Sequence, residues 1–383
     1  MKARFWLGAA APGGLALPAA NPTPCQFYGP RGVFLNDDVL VVADSGNHRV
    51  LIWNRPPSDS HQPADVVLGQ PDFFSEGPNR NRTNARDGLF LPTSVGVFEG
   101  RLFVADAWNH RILAWNSVPT RSDVAPDFAI GQPDLFSVEP NQGSMVSSAT
   151  LYWPYGMAFI NGQFYVADTG NRRVVAWMGL PQSTRPADMV LGQDDFAQNG
   201  ENRNIGVSAS SFRWPHALAG TKDILYVADA GNHRVLGWNP TPSHDRPADF
   251  VLGQSKFESA SEFPYVKQSA EKLRFPYDIE CNDKFAVVSD TANNRILIWK
   301  HPLTHTRGSA AVAVIGQPDF AANGENHWKA VTDETLCWPY GICLHRDMLA
   351  VADSGNNRVM IWDLSSVLDQ NDESLEQRNL QCV

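Results

Sequence analysis

The sequence predicts an all-β repeat protein, built either as a propeller or as a solenoid. The stretch VVADSGNHRVLIW, which begins at Val41, recurs in five further copies along the 383 residues, with a period of 61 to 63 residues. A fixed period in this range is typical of these repeat architectures. Apolar residues alternate before the acid of each copy, and a second apolar run follows the turn, which indicates two strands joined as a hairpin.

Each copy carries an acid, an arginine five residues later and a tryptophan nine residues later; in the first copy these are Asp44, Arg49 and Trp53. The Asp-Ser-Gly-Asn sequence between the strands has turn chemistry, because Gly and Asn tolerate positive φ. A bidentate ion pair across the hairpin would fix its register. Because every acid has its own arginine, we predict structural latches rather than a ring of acids that binds a cation. The predicted pairs are Asp44–Arg49, Asp106–Arg111, Asp168–Arg173, Asp229–Arg234, Asp290–Arg295 and Asp353–Arg358.

The hairpin resembles the NHL repeat, whose signature is carried here by Asn47-His48, Asn109-His110 and Asn232-His233. Arg172, Asn294 and Asn357 replace the histidine in the other copies. The resemblance covers nearly the whole chain and implies a six-bladed β-propeller, with the tryptophans packed between neighbouring blades. Propellers of this kind serve as protein-binding platforms, as RNA-binding surfaces and as metal-dependent lyases, so the resemblance leaves the function open.

Each repeat divides into four strands, of which the innermost begins at a proline and the outermost ends in a Gly-Gln pair. The outer strand occurs five times, first as VVLGQPDF from Val66, whereas the other three occur six times. The stretch from Ala3 to Gly8 matches that from Ala248 to Gly253, so residues about 3–9 are predicted to complete the last blade and close the ring. We expect one propeller over 1–363 and a polar tail over 364–383, in which ESLEQRNL is a weak helical candidate.

Strand order places the loops from each outer strand to the next inner strand beside the hairpin turns. We call this side the top face and the opposite side, with its short Pro-rich loops, the bottom face. The top loops count about 16 to 20 residues, well above the usual loop length. In one of them, SASSFRWP from Ser208 is expected to form a short helical turn.

The residue after each inner-strand proline is expected at the top mouth of the central channel. These positions hold Arg31, Thr93, Tyr155, His216, Tyr277 and Tyr340. Asp278 replaces a residue that is small in the other blades, and Glu280 and Cys281 follow it. Trp108 occupies a turn position that is Gly or Ala elsewhere, so we expect it to project from the top face as an anchor for a partner.

The channel mouth does not carry a legible catalytic set. The related lyases draw metal-binding histidines from several inner strands. In this sequence we place only His216 on an inner strand, and one histidine does not make a zinc site. Nucleophile arrangements and phosphate loops are not apparent, and no cofactor is predicted. The sequence does not decide whether the channel binds a metal ion. If it does, we expect calcium or another hard ion on Asp278 and Glu280.

The composition of the chain indicates which partners and which cellular compartment to expect. The net charge of −10 and the lack of a Lys/Arg run argue against nucleic acid, and no apolar run is long enough to span a membrane. The five cysteines fit no metal spacing and are interpreted as unpaired thiols, which favours the cytoplasm. The first 20 residues resemble a signal peptide interrupted by Gly8 and Pro12, so secretion or a periplasmic location is the alternative.

The sequence therefore favours a monomeric propeller without catalytic activity. Its expected role is that of a scaffold or accessory factor, which binds a protein or peptide partner through the long loops of the top face. The alternative is a lyase or hydrolase that acts on a small molecule in the channel with a bound divalent ion.

Overall fold

A computed structural model describes residues 1–9, 21–60, 62–82, 86–301 and 307–367. It confirms the predicted fold, with six antiparallel four-stranded sheets, or blades, around a central channel. The strand β1 (Phe5–Gly8) belongs to the last blade. Blade 1 contains β2 (Gly32–Leu35), β3 (Leu40–Asp44), β4 (Arg49–Trp53) and β5 (Val66–Leu68). Blade 2 contains β6 (Pro92–Phe98), β7 (Arg101–Asp106), β8 (Arg111–Trp115) and β9 (Phe128–Ile130).

The next blades repeat this order from the channel outwards. Blade 3 contains β10 (Pro154–Ile160), β11 (Gln163–Asp168), β12 (Arg173–Met178) and β13 (Met189–Leu191). Blade 4 contains β14 (Pro215–Gly220), β15 (Leu225–Asp229), β16 (Arg234–Trp238) and β17 (Phe250–Leu252). Blade 5 contains β18 (Pro276–Cys281), β19 (Phe285–Asp290), β20 (Arg295–Lys300) and β21 (Ala313–Ile315). Blade 6 contains β22 (Pro339–His345), β23 (Met348–Asp353), β24 (Arg358–Asp363) and β1.

The ring is closed by the N-terminal strand, as the sequence predicts. Antiparallel pairing of β1 with β24 brings Phe5 opposite Ile361 and Leu7 opposite Val359. The side chain of Leu7 is 1% exposed, in a core cluster that joins blades 6 and 1. Two strands from opposite ends of the chain thus share one sheet.

The latches are present in all six blades, but each ion pair has a single hydrogen bond instead of the expected bidentate one. In blade 3, Arg173 Nε donates to Asp168 Oδ2 at 2.7 Å, and both side chains are fully buried. The other guanidinium nitrogens donate to main-chain oxygens of the two flanking top loops, namely those of Phe196, Ser147 and Thr150. The second acid oxygen accepts the main-chain N–H of Tyr152 at 2.7 Å. In blades 1 to 5 the latch therefore joins a hairpin to two loops, whereas among the described residues Arg358 of blade 6 reaches one loop, at the Thr335 carbonyl.

The six tryptophans lie in the core between blades, as expected. Trp177, for example, packs in a cluster formed by blades 2 and 3, and its indole N–H donates to the Arg185 carbonyl at 3.1 Å. Each core cluster contains side chains from two adjacent blades, so hydrophobic burial acts across the blade interfaces.

The top loops depart from expectation in two respects. They are longer than predicted, because the outer strands stop before the Gly-Gln pair; the loops run over 69–91, 131–153, 192–214, 253–275 and 316–338. The expected helical turn at SASSFRWP is wrong: Ala209 and Ser210 form a simple turn, whereas a 3-10 helix occupies Glu201–Asn204. The serine hydroxyls bond locally instead, as where Ser208 N donates to Ser211 Oγ.

The C-terminal tail is described only to Val367. Leu364 and Val367 are buried in the blade 6 core, and the helical candidate ESLEQRNL lies outside the described residues. None of the described helices has the length and apolar character that crossing a membrane requires.

The closing strand should contribute strongly to stability. We expect Leu7→Ala to lower the free energy of unfolding by about 2–5 kcal/mol, because it removes a buried side chain from the seam between blades 6 and 1. Urea denaturation of Leu7→Ala and of the exposed control Arg4→Ala measures this difference. Equal stability of the two variants would show that the seam does not hold the ring.

Replacing the arginine of a buried latch should lower the free energy of unfolding. Arg173→Lys keeps the charge but loses most of the four hydrogen bonds, so we expect a cost of at least about 2 kcal/mol. The same change in the partly exposed pair of Arg185 and Asp188 should cost less than about 1 kcal/mol. Chemical denaturation of both variants provides the comparison, and a cost for Arg173→Lys as small as that of Arg185→Lys would contradict the role of the latch.

Candidate functional site

The residues after the inner-strand prolines meet at the top end of the channel. His216 lies between two tyrosines, with ring centroids 4.3 Å from Tyr155 and 4.4 Å from Tyr277, and it stacks flat on Tyr277. Tyr340 follows at 4.8 Å from Tyr277, and the Arg31 guanidinium lies over its face at 4.9 Å. Together with Thr93, whose Oγ1 donates to the Tyr155 carbonyl at 2.9 Å, these side chains form the top ring.

The top ring is mostly neutral. Burial lowers the pKa of His216 to about 4, and its Nδ1 lies 2.9 Å from the Trp214 carbonyl, which requires a proton on that nitrogen. Burial also raises the pKa of Tyr277 to about 12. The charge of the ring therefore comes from Arg31. Since Thr93, Tyr155 and His216 are each at most about 5% exposed, the ring narrows this end of the channel.

Below the top ring lies a cavity of about 300 Å³, and two acids of blade 5 line it. Asp278 accepts the main-chain N–H groups of Ile279 and Ile342, each at 2.8 Å. Burial raises the pKa of Asp278 to about 7, and burial together with the neighbouring Asp278 charge raises the pKa of Glu280 well above its usual value. Both acids thus resist ionisation.

The thiols near these acids are not poised as nucleophiles. Burial raises the pKa of Cys281 and of Cys343 above the ordinary thiol value, and the charge of Glu280 acts in the same direction. Cys343 Sγ lies 3.2 Å from the Leu35 main-chain nitrogen. A thiolate is the reactive form of cysteine, so these side chains act as small packed groups.

Metal-ion binding receives little geometric support. Within the described part of the chain, no group of three or more His, Cys, Asp and Glu side chains could hold a metal ion. Calcium takes 6–8 oxygen ligands, whereas Asp278 and Glu280 provide two carboxyl groups from one strand. The hard-ion variant therefore remains a prediction.

A set of residues that sequence reasoning missed surrounds the top ring. These residues, the aromatic collar, immediately precede the inner-strand proline in blades 2 to 6: Leu91, Trp153, Trp214, Phe275 and Trp338. The signal in the sequence was an aromatic residue before the inner-strand proline in four of the six repeats. The other two repeats carry Gly29 and Leu91 at this position.

The collar explains why the signature alternates between His and Asn. Trp153 has a φ of 55°, and its N–H donates to Nδ1 of His110 in the preceding blade at 3.1 Å. Asn294 accepts the N–H of Trp338 in the same way at 2.8 Å. Arginine cannot accept such a bond, and beside Arg172 the Trp214 N–H donates to Asp229 instead. The signature position is therefore a blade-to-blade hydrogen-bond acceptor.

Large exposed apolar side chains are concentrated on the top face. Among the described residues there are 13 of them, and 11 lie in the top loops and hairpin turns; Met1 and Met178 lie on the bottom face. Trp108 projects as expected, is 48% exposed, and contacts Phe90 and the collar residue Trp153. Of the top-ring residues, Thr93, Tyr155 and His216 are thus buried, and the large exposed apolar side chains of the top face belong to other residues.

One part of this surface forms a groove of about 480 Å³ between the loops 253–275 and 316–338. We call it the aromatic groove; its aromatic walls are Phe263, Phe275, Trp328 and Trp338. Trp338 Nε1 donates to Glu325 at 2.8 Å, which fixes the indole, and Trp328 is 76% exposed.

The fold and its repeated hairpin define a repeat-built β-propeller, and comparison with known proteins finds similar sequences. The family model of the NHL repeat matches residues 27–53. NHL repeat-containing protein 2 of Homo sapiens is 22% identical over 372 residues, which cover 90% of this chain and 47% of the relative. The Bos taurus protein of the same name is 22% identical over 378 residues. The chain therefore contains a segment that matches the NHL repeat and is similar to these relatives, of which it spans about half the length.

Solved structures similar to the chain come from proteins of different kinds. Virginiamycin B lyase from Staphylococcus aureus has 11% identity and a TM-score of 0.46, covering 89% of this chain and 97% of the lyase. A chain of the nidogen/laminin complex has 14% identity and a TM-score of 0.44, covering 85% of each chain. At this level of similarity neither structure assigns an activity to the chain.

The histidine acceptors should make stability depend on pH. Burial lowers the pKa of His110 to about 4, whereas an unfolded histidine has a pKa of about 6.5. Between these values the unfolded chain binds the proton and the folded chain does not, so stability falls as the pH falls from 6.5 to 4. His110→Asn keeps an acceptor but does not titrate, and it should flatten this slope, as measured by urea denaturation at several pH values.

The exposed histidine His244 provides the control for that experiment. His244→Asn should leave the slope as it is in the parent chain. A slope that is equally steep in His110→Asn would show that the His110 acceptor does not cause the pH dependence.

Proposed function

We propose that this NHL propeller is a non-catalytic scaffold or accessory factor, which binds a protein or peptide partner through its top face. The observation that carries the proposal is the one-sided distribution of exposed apolar side chains, 11 of 13 in the top loops and turns. Exposed apolar surface that is contiguous and rimmed by polar groups is typical of interaction sites. Tryptophan and tyrosine, which recur here, are also the residues that dominate binding energy at interfaces.

The rigidity of the top face supports the same role. Each latch arginine holds main-chain oxygens of the loops, and reciprocal amide pairs add further ties, such as Asn141 with Asn171 at 3.0 and 2.9 Å. A surface that is ordered before binding avoids much of the entropy cost of association. Long loops held in this way can present aromatic anchors in a constant arrangement.

The alternative reading, a lyase or hydrolase with a divalent ion in the channel, has less support. The described residues contain no three-ligand group, and the channel thiols are held in the unreactive form. Nucleic acid is disfavoured by the net charge of −10, because binding to phosphates depends on basic side chains. Unpaired thiols at Cys25, Cys281, Cys337 and Cys343 support a cytoplasmic location.

Capture experiments with matched variants test the proposal. The immobilised chain is exposed to lysate of its source organism, the captured protein is identified and purified, and its affinity is measured by titration. Trp108→Ala and Trp328→Ala should each weaken binding by tenfold or more, as expected for aromatic anchors. Both side chains are about half exposed or more, so thermal unfolding should change little.

Met178→Ala provides the control, because Met178 is equally exposed but lies on the bottom face. It should leave the affinity unchanged. A partner whose binding is weakened by Met178→Ala and not by the two tryptophan variants would place the interface elsewhere and overturn the proposal.

A further inference from the structure

The central cavity is chemically one-sided. At the position of Asp278, the other blades carry Gly32, Ser94, Gly156, Ala217 and Gly341. Two positions further along, Gly96, Ala158 and Ala219 are again small, blades 1 and 6 carry Phe34 and Cys343, and blade 5 has Glu280. The other five blades thus contribute no acid at these two positions, whereas blade 5 directs two carboxyl groups into the cavity.

The charge of these acids is not compensated. Neither Asp278 nor Glu280 forms an ion pair in the described part of the chain, and no cation is among the causes that set the pKa of either. The contrast with the latches is direct, because each latch acid has its own arginine at 2.7 to 3.0 Å. Since an unpaired charge in a buried site is costly, a cation entering the cavity would be stabilised by both carboxylates.

An independent observation points to a ligand in the same cavity. Tyr155 lines it and is 5% exposed, yet its hydroxyl makes no hydrogen bond of normal geometry, although the Arg31 guanidinium lies close by. Buried hydroxyl groups in folded proteins are nearly always hydrogen-bonded. A polar ligand below the top ring would supply the missing partner.

The donor set distinguishes an organic cation from a metal ion. Two carboxyl groups from one strand, one of which already accepts two main-chain N–H groups, fall short of the coordination of a divalent ion. An ammonium group needs only acceptors for its N–H donors, and its hydrocarbon part can pack against Val33, Ala158 and Ala219. The volume of about 300 Å³ corresponds to roughly ten water molecules, which is room for a small aliphatic amine.

We propose that the central channel binds a small aliphatic ammonium ion, with the charged nitrogen held by the carboxylates of Asp278 and Glu280 below the top ring. The ligand enters from the bottom end, which is lined by Asn36, Phe98 and His345, because the packed rings of Tyr155, His216 and Tyr277 narrow the top end. His345 lies 3.1 Å from Asp37 and is paired with that acid, not with Asp278 or Glu280. This site is independent of the top face and of any partner bound there.

Calorimetric titration with putrescine, a diamine, tests the proposal. Butane-1,4-diol, which has the same carbon chain without charge, and calcium chloride are titrated in parallel. Putrescine should bind and the diol should not. Binding should release protons at pH 7, since the cation drives ionisation of acids that are partly protonated there, so the measured heat should differ between buffers of different ionisation enthalpy.

Glu280→Gln removes one charge at nearly constant shape, and the main-chain N–H of Cys281, which donates to the Glu280 carboxyl, can also donate to the amide oxygen of glutamine. It should weaken putrescine binding by tenfold or more, as expected for a hydrogen bond between charged groups. Glu334→Gln makes the same change on an exposed loop and should leave binding unchanged. Thermal unfolding of both variants checks that they fold.

Four outcomes would overturn the proposal. They are no binding of putrescine, equal binding of the diol, an unchanged affinity in Glu280→Gln, and calcium binding that depends on Glu280 and is tighter than putrescine binding. The last result would identify a metal site instead. None of these results would bear on partner binding by the top face, so the two proposals can fail separately.

Discussion

The buried ion pair at the top of each hairpin is the interaction on which the rest of the structure depends. Its acid is saturated by an arginine, an asparagine and a main-chain N–H, as shown by the bonds to Asp168. Its arginine donates to the acid once and otherwise to loop carbonyls. A buried charge is tolerable only when it is paired and fully hydrogen-bonded. The loops must therefore place their carbonyl groups where these accept hydrogen bonds from the arginine. In this way the hairpins fix the positions of the top loops.

This coupling explains how long loops can form an ordered surface. Loops of such length would ordinarily carry a large conformational entropy. Here each is anchored near its middle by an amide pair and near its ends by latch carbonyls and the His or Asn acceptor. Aromatic side chains on the loops can then remain exposed without collapsing onto the core. The aromatic collar and groove are consequences of a polar framework beneath them.

The channel shows the opposite use of buried charge. The same chain that pairs six acids with six arginines leaves Asp278 and Glu280 without an ion pair among the described residues, on the one blade that contributes acids to the cavity wall. A fold that satisfies its structural acids so completely has no structural need for two more. The proposed ligand site thus rests on a departure from repeat symmetry and not on the repeat itself.

The sequence by itself determined the number of blades, the pairing of each acid with its arginine and the closing strand, because all three follow from a period and a matching motif. It placed Tyr155 and His216 at the channel top, since their position after a fixed proline recurs in each blade. Tertiary structure alone decided that these residues are buried and that Trp328 and Trp338 form the exposed wall of a groove. Exposure depends on how loops from neighbouring blades pack against one another, and that packing is set by long-range contacts that no local pattern encodes.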